Sequence, residues 1–184
     1  MPLSDHELAT LPAAGIDGEQ PGPYADLLAD VQGNILKSHG RDHSVLLFVR
    51  WRRGHLDAAR RWIAAFASTW VTSAARQFVE AHHYRATGEP GPVFGAIAFS
   101  RHGYEALGFA GVQLPADVPF RMGMHHDELG ALLGDPPVSS WEEGYRQPCD
   151  ALISLADDDR DRLWRTVDDL SGDLLACAEI LQRE

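Results

Sequence analysis

The chain has 184 residues with 45% hydrophobic content, enough to bury a full core as one domain with or without an irregular arm. Its formal net charge of -11 excludes the basic face that nucleic acid requires. Two cysteines, Cys149 and Cys177, supply neither a disulfide framework nor a zinc spacing, and are expected as free half-buried thiols in a reducing compartment. No secretory or membrane-spanning pattern opens or interrupts the sequence, so a soluble, cytoplasmic protein is expected.

Residues 1–23 carry Pro12, Gly15, Gly18, Pro21 and Pro23, which break helices and suit an extended arm. Residues 24–31 form a short helical candidate. Gln32-Gly33-Asn34 is turn chemistry, with Gly33 expected at φ > 0 and Asn34 bonding its own backbone. Ile35 and Leu36 are expected to pin the segment to a core. Lys37, His39, Arg41 and His43 then place cationic groups beside an apolar strand over residues 44–51.

After Gly54, Leu56, Ala59, Ile63, Phe66 and Trp70 recur at helical steps and mark one buried face. Arg52, Arg53, Arg60 and Arg61 near its start read as a solvated face with Asp57 as partner. Residues 72–86 read as a helix turning into a loop, and 87–92 as a loop. A second strand covers 93–99. Ser100 caps a short helix that Gly108 stops. Residues 115–119 read as loop, 120–133 as a helix despite Gly123 and Gly130, and 139–148 as an irregular connection holding Trp141 and Tyr145. A third strand covers 150–156. Asp157 and Asp158 sit where a helix start favours acids, with Leu163, Val167 and Leu170 on its buried face and Ser171-Gly172 as its stop. Residues 176–182 form an edge-like fourth strand.

Strand, helix, strand, strand, helix, strand is the ferredoxin-like βαββαβ order, an α+β fold on an antiparallel four-stranded sheet with a helical insertion between strands 2 and 3. Residues 1–29 are expected as arm and short helix, and 30–184 as the domain. Strands 1 and 2 are apolar at nearly every position, as in a sheet covered on both faces.

"VQGNILKSHGRDH" over residues 31–43 resembles the N-terminal signature of the dye-decolorizing peroxidases, haem enzymes built from two ferredoxin-like halves. Ala98-Phe99-Ser100, residues 103–108, 120–124 and 133–135, Trp141 and the strand at 150–156 fit in order. The resemblance runs from Asp30 to the C-terminus and implies the N-terminal half of such an enzyme. The family's Gly-x-x-Asp-Gly motif, distal Arg and proximal His belong to its other half, and nothing here matches them. Gly15-Ile16-Asp17-Gly18 is too compact, with Ala14 in the first glycine's place, and reads as a turn. The expectation is a split peroxidase in which a partner chain carries haem and catalytic residues while this chain walls the haem cavity. Peroxidase activity is then expected only in that complex, with no catalytic residue and no metal site here and no haem-contacting residue assigned. The rival is a non-catalytic ferredoxin-like module that self-associates through its sheet face.

Other patterns point to structure. His82-His83 and His125-His126 are adjacent pairs that do not face one point, and His125 with Glu128 lacks further ligands. Asp157-Asp158-Asp159-Arg160-Asp161 lacks a calcium loop's glycine because Arg162 stands there. Trp51, Trp62, Trp70, Trp141 and Trp164 read as core or interface anchors.

Overall fold

The structure is a computed structural model that describes residues 15–184; most of the expected arm, residues 1–14, lies outside them. Among the described residues are seven α-helices and four strands. They are α1 (Ala25–Asp30), β1 (His43–Trp51), α2 (Leu56–Thr69), α3 (Ala74–Thr87), β2 (Phe94–Phe99), α4 (Arg101–Ala106), α5 (Val118–Met122), α6 (Asp127–Leu133), β3 (Ala151–Asp157), α7 (Arg160–Leu174) and β4 (Ala178–Arg183). The antiparallel sheet has the order β2-β3-β1-β4, the ferredoxin-like arrangement. No helix among the described residues is long and apolar enough to cross a membrane.

One sheet face carries the core. Val45, Leu47, Val49 and Trp51 alternate inward from β1 and meet Ile153 and Leu155 of β3, Phe66 of α2 and Leu163 and Val167 of α7. Trp62 stacks on Phe66 at 5.1 Å between ring centres and tilts against Trp51 at 6.4 Å, so Trp51 and Trp62 are core anchors. Trp164 is exposed, under the Arg183 guanidinium.

Several expected boundaries move, each for a local reason. Residues 74–87 stay helical to the end, because Ser73 Oγ accepts the Arg76 amide and Gly88 closes α3 at φ 72°. The helix expected over 120–133 is two: Asp117 caps α5 inside the expected loop, and Gly123 at φ 79° breaks the run before α6. Helix α7 runs through Ser171-Gly172 to Leu174, which is fully buried. Ser100 does cap α4, accepting the Gly103 amide at 3.1 Å.

Gly103 of α4 lies against the backbone of Asp150, the residue before β3. A Cβ there would lie 1.9 Å from the Asp150 carbonyl oxygen, a backbone atom that also accepts the Ser100 amide. Gly103→Ala is therefore expected to lower the melting temperature by roughly 10 °C or more, as the corner must separate to admit a methyl group. An unchanged thermal melt would refute that contact.

Candidate functional site

The segment after α1 closes the exposed edge of β2. Gln32 bridges to Ser73 through its backbone and caps β2 with its side-chain amide: Nε2 donates to Ile97 O at 2.9 Å and Oε1 accepts the Ile97 amide at 2.8 Å. Thr72 occupies the next position of that edge, its amide donating to Gly95 O. An edge so capped cannot accept a further strand there.

Gly33 does not take a positive φ, contrary to the sequence expectation; Asn34 does, at 66°. Gly33 is required by proximity: a Cβ there would lie 2.5 Å from Gln77 Oε1 and 3.2 Å from Thr72 O. Gln77, 4% exposed, is the hub. Its Oε1 accepts the Asn34 amide at 2.7 Å and its Nε2 donates to the Lys37 and Ser38 carbonyls at 3.0 and 2.7 Å. These bonds hold the segment; Ile35 and Leu36, expected to pin it, are 67% and 47% exposed. Gly33→Val is expected to displace Gln77 and cost about 2–3 kcal/mol, read as a fall in denaturation midpoint. Unaltered stability would mean that Gln77 is not the hub.

Of the four cationic residues of the segment, Lys37, His39 and Arg41 border one pocket and His43 does not. His43 is exposed at the start of β1, and Lys37 lies over the Phe78 ring at 5.7 Å. Arg41 is buried, paired with Asp158, donating to Pro92 O at 3.2 Å and lying 4.2 Å over the Phe94 ring. Burial lowers the His39 pKa, the Arg41 charge lowers it further and Asp158 opposes both.

The outward face of the sheet is built from Leu46, Phe48, Leu152, Ser154, Ala96 and Ala98, the residues that alternate with the core positions. It is partly covered. Tyr145 packs edge-on against Phe48 at 5.0 Å, and His125 donates to Tyr145 O at 2.7 Å while packing on Trp141. The insertion between β2 and β3 exposes Phe109, Val112, Val118, Met124, Leu132 and Leu133, with Val112 at 99% and Leu132 at 79%. Such a concentration of exposed apolar side chains marks a surface made for contact.

The carboxylate run resolves into a strand end and a helix cap. Asp157 is the last residue of β3, not a helix start, and is fully buried on Arg162, whose Nε and Nη2 reach its two oxygens at 2.6 Å each. Asp159 caps α7 by accepting the Arg162 amide. Arg162 thus occupies the place a calcium loop reserves for glycine. Among the described residues no three His, Cys, Asp or Glu side chains converge on a metal position. Arg60 donates to Asp57 at 3.2 Å, as expected, and also to Leu107 O at 2.7 Å. The Gly15 to Gly18 string is irregular backbone, with Asp17 Oδ1 accepting the Glu19 amide at 2.9 Å. Cys149 is half-buried and Cys177, against expectation, fully buried; burial pushes both thiols up, which disfavours the nucleophilic thiolate.

Haem requires an axial donor over an apolar slot. His43, His55, His82, His83 and His126 are exposed. His39 Nδ1 accepts the Arg41 amide, and the ring lines a pocket of only about 230 Å³. His125 Nε2 is committed to Tyr145 O. His102 is half-buried beside Glu105 and lines a cleft walled by Arg50, Arg52, Arg53, Asp150 and Glu179, a charged wall and not an apolar slot. None of these eight histidines offers a free donor over an apolar slot for haem.

Residues 30–180 match the family model of the DyP dimeric alpha+beta barrel domain. The multifunctional dye peroxidase DyP2 of Amycolatopsis sp. is 32% identical over 136 residues, 74% of this chain and 28% of that protein. The crystal structure of a DyP-type peroxidase from Anabaena sp. is 46% identical with a TM-score of 0.92, over 100% of this chain and 40% of that one. The DyP2 structure superposes with a TM-score of 0.78 at 28% identity, over 89% of this chain and 34% of its own. The chain thus spans 28–40% of these relatives' lengths. A signature segment knotted to Gln77, the β2-β3-β1-β4 sheet and the matched residues 30–180 agree: the chain belongs to the DyP-type peroxidase family and spans its N-terminal domain.

Proposed function

We propose that this chain is the N-terminal ferredoxin-like half of a DyP-type peroxidase and works docked to a complementary C-terminal half. That half carries haem and the catalytic groups, as a partner chain of a split enzyme or as a continuation of the same polypeptide. Residues 30–184 form the docking domain and residues 1–29 an arm and short helix beside it. The free thiols suit a reducing, cytoplasmic setting.

One observation carries this reading. The insertion exposes six large apolar side chains, and the outward sheet face is itself apolar and only partly covered. Burying such a surface at about 25 cal/mol per Å² is the driving force for a stable interface. This chain's contribution is then positional: it excludes water from one side of the cavity and bounds what reaches it, while peroxide-dependent oxidation is carried out by groups of the other half.

Sedimentation of the chain at micromolar concentration, with and without a DyP-type C-terminal half, tests the docking. The expected result is a one-to-one complex that Leu132→Ser combined with Val112→Ser weakens about tenfold or more. A homo-oligomer indifferent to the added half would instead favour the self-associating module.

A further inference from the structure

Residues 109–135, within the insertion between β2 and β3, combine two exposed features. The first is the set of apolar side chains, with Val112, Leu132 and Val118 the most exposed of them. The second is charge. The stretch holds four carboxylates, Asp117, Asp127, Glu128 and Asp135, against one guanidinium, Arg121. All four carboxylates are exposed, and none is paired with a cation among the described residues. Asp117 accepts the Phe120 amide at 2.8 Å, and Asp127 and Glu128 open α6. Arg121 is turned to its own loop: Nε donates to Pro115 O at 2.8 Å, and Nη2 to Gly111 O and Leu114 O at 3.4 and 3.3 Å.

The two features interleave. Val118 follows Asp117 at the start of α5, and Glu128 and Leu132 stand one turn apart on one side of α6. Asp135 comes directly after the Gly134 cap that closes that helix. The outward sheet positions from Leu46 to Ala98, by contrast, carry no charge.

Unpaired carboxylates set among apolar side chains select a partner by charge as well as by shape. A second copy docked through the same surface would set these carboxylates against their own counterparts. A surface of anionic lipid would be repelled in the same way.

Resting on the docking reading above, we propose that the insertion meets a basic apolar surface of the C-terminal half. Lysines or arginines of that surface stand opposite Asp127, Glu128 and Asp135, and apolar side chains opposite Leu132. The carboxylates steer the encounter and fix its orientation, while the apolar contacts hold the complex.

Stopped-flow association of the full chain with a DyP-type C-terminal half, at about 20 and about 500 mM sodium chloride, is the test. The wild-type rate is expected to fall about tenfold or more across that range. Asp127→Asn, Glu128→Gln and Asp135→Asn together should slow association about fivefold at low salt and leave it level with wild type at high salt. Asp161→Asn, Asp169→Asn and Asp173→Asn together are the control, on exposed positions of α7, which packs against the core face of the sheet. They change the net charge equally and should alter the rate by less than about twofold. Ala131→Glu adds an acid at an exposed position of α6 and should speed association about twofold, a gain that misfolding cannot mimic. A rate indifferent to salt, a control as slow as the insertion variant, or an Ala131→Glu that is no faster would each overturn the proposal while leaving docking itself intact. No association at any salt would overturn the docking reading together with it.

Discussion

Leu47→Asp is expected to unfold the domain, whereas Leu46→Asp leaves it folded and unable to assemble. The two residues are neighbours on β1, and strand geometry sends their side chains to opposite faces. Leu47 is 0% exposed, opposite Ile153 and among the core residues. An aspartate there loses the leucine's burial and places a carboxylate where no cation waits, a loss of about 5 kcal/mol or more. That is comparable with the whole stability of a domain this size. Val49, also 0% exposed and two residues on, shares the inward face, so Val49→Asp should fail in the same way. Leu46 is half-buried on the outward face opposite Ser154. Its replacement should cost about 1 kcal/mol in the isolated chain and at least tenfold in affinity for a docked half. Circular dichroism separates folding from assembly, and sedimentation reads the assembly. An unfolded Leu46→Asp, or a folded Leu47→Asp, would invert the assignment of faces.

Arg162→Met is expected to cost about 3 kcal/mol at neutral pH and to change how stability responds to acid. Asp157 is fully buried, and burial alone would raise its pKa. The Arg162 hydrogen bonds and charge, with the Asp159 amide, outweigh burial and hold the carboxyl below its ordinary value of 3.8. In the native chain the pair's stabilisation is present above that ordinary value and is lost as pH falls through the depressed folded value. Without Arg162 the hydrogen bonds and charge that oppose burial are lost, and burial pushes the carboxyl upward from its native value. The variant's deficit is then largest at neutral pH and shrinks as the carboxyl takes up its proton. Asp150, raised chiefly by burial, is common to both proteins and cancels in the difference. Denaturant midpoints from about pH 3 to 7 should show the two stability curves converging on acidification. Parallel curves would mean that Asp157 does not depend on Arg162.

The order of strands and the insertion were readable from apolar runs and their punctuation, because those features are local. The two faces of β1 were not, since Leu46 and Phe48 are as apolar as Val45 and Leu47; a strand covered on both sides hides its alternation. The same property made the outward face recognisable as one that needs a cover. Gly33 was singled out for the wrong reason: turn chemistry pointed to its φ, but the constraint comes from Gln77, forty-four positions away in sequence and touching it only after folding. Asp157 looked like a helix-start acid because three aspartates adjoin, and only the register of β3 against β1 shows that the first of them is inside. The pocket beside Arg41 was partly visible as a run of cations, while its far wall, Phe78 to Arg85, lay in a helix whose polar composition gave no sign of it.

Haem titration of the chain alone, of a DyP-type C-terminal half, and of the two mixed tests the central claim most directly. The account predicts no stoichiometric Soret band for this chain by itself. The mixture should show one haem per pair, with peroxide-dependent dye oxidation above that of the C-terminal half alone. A sharp one-to-one Soret band from this chain alone, with a histidine of this sequence as axial ligand, would contradict it, as would a C-terminal half whose haem and activity are indifferent to this chain.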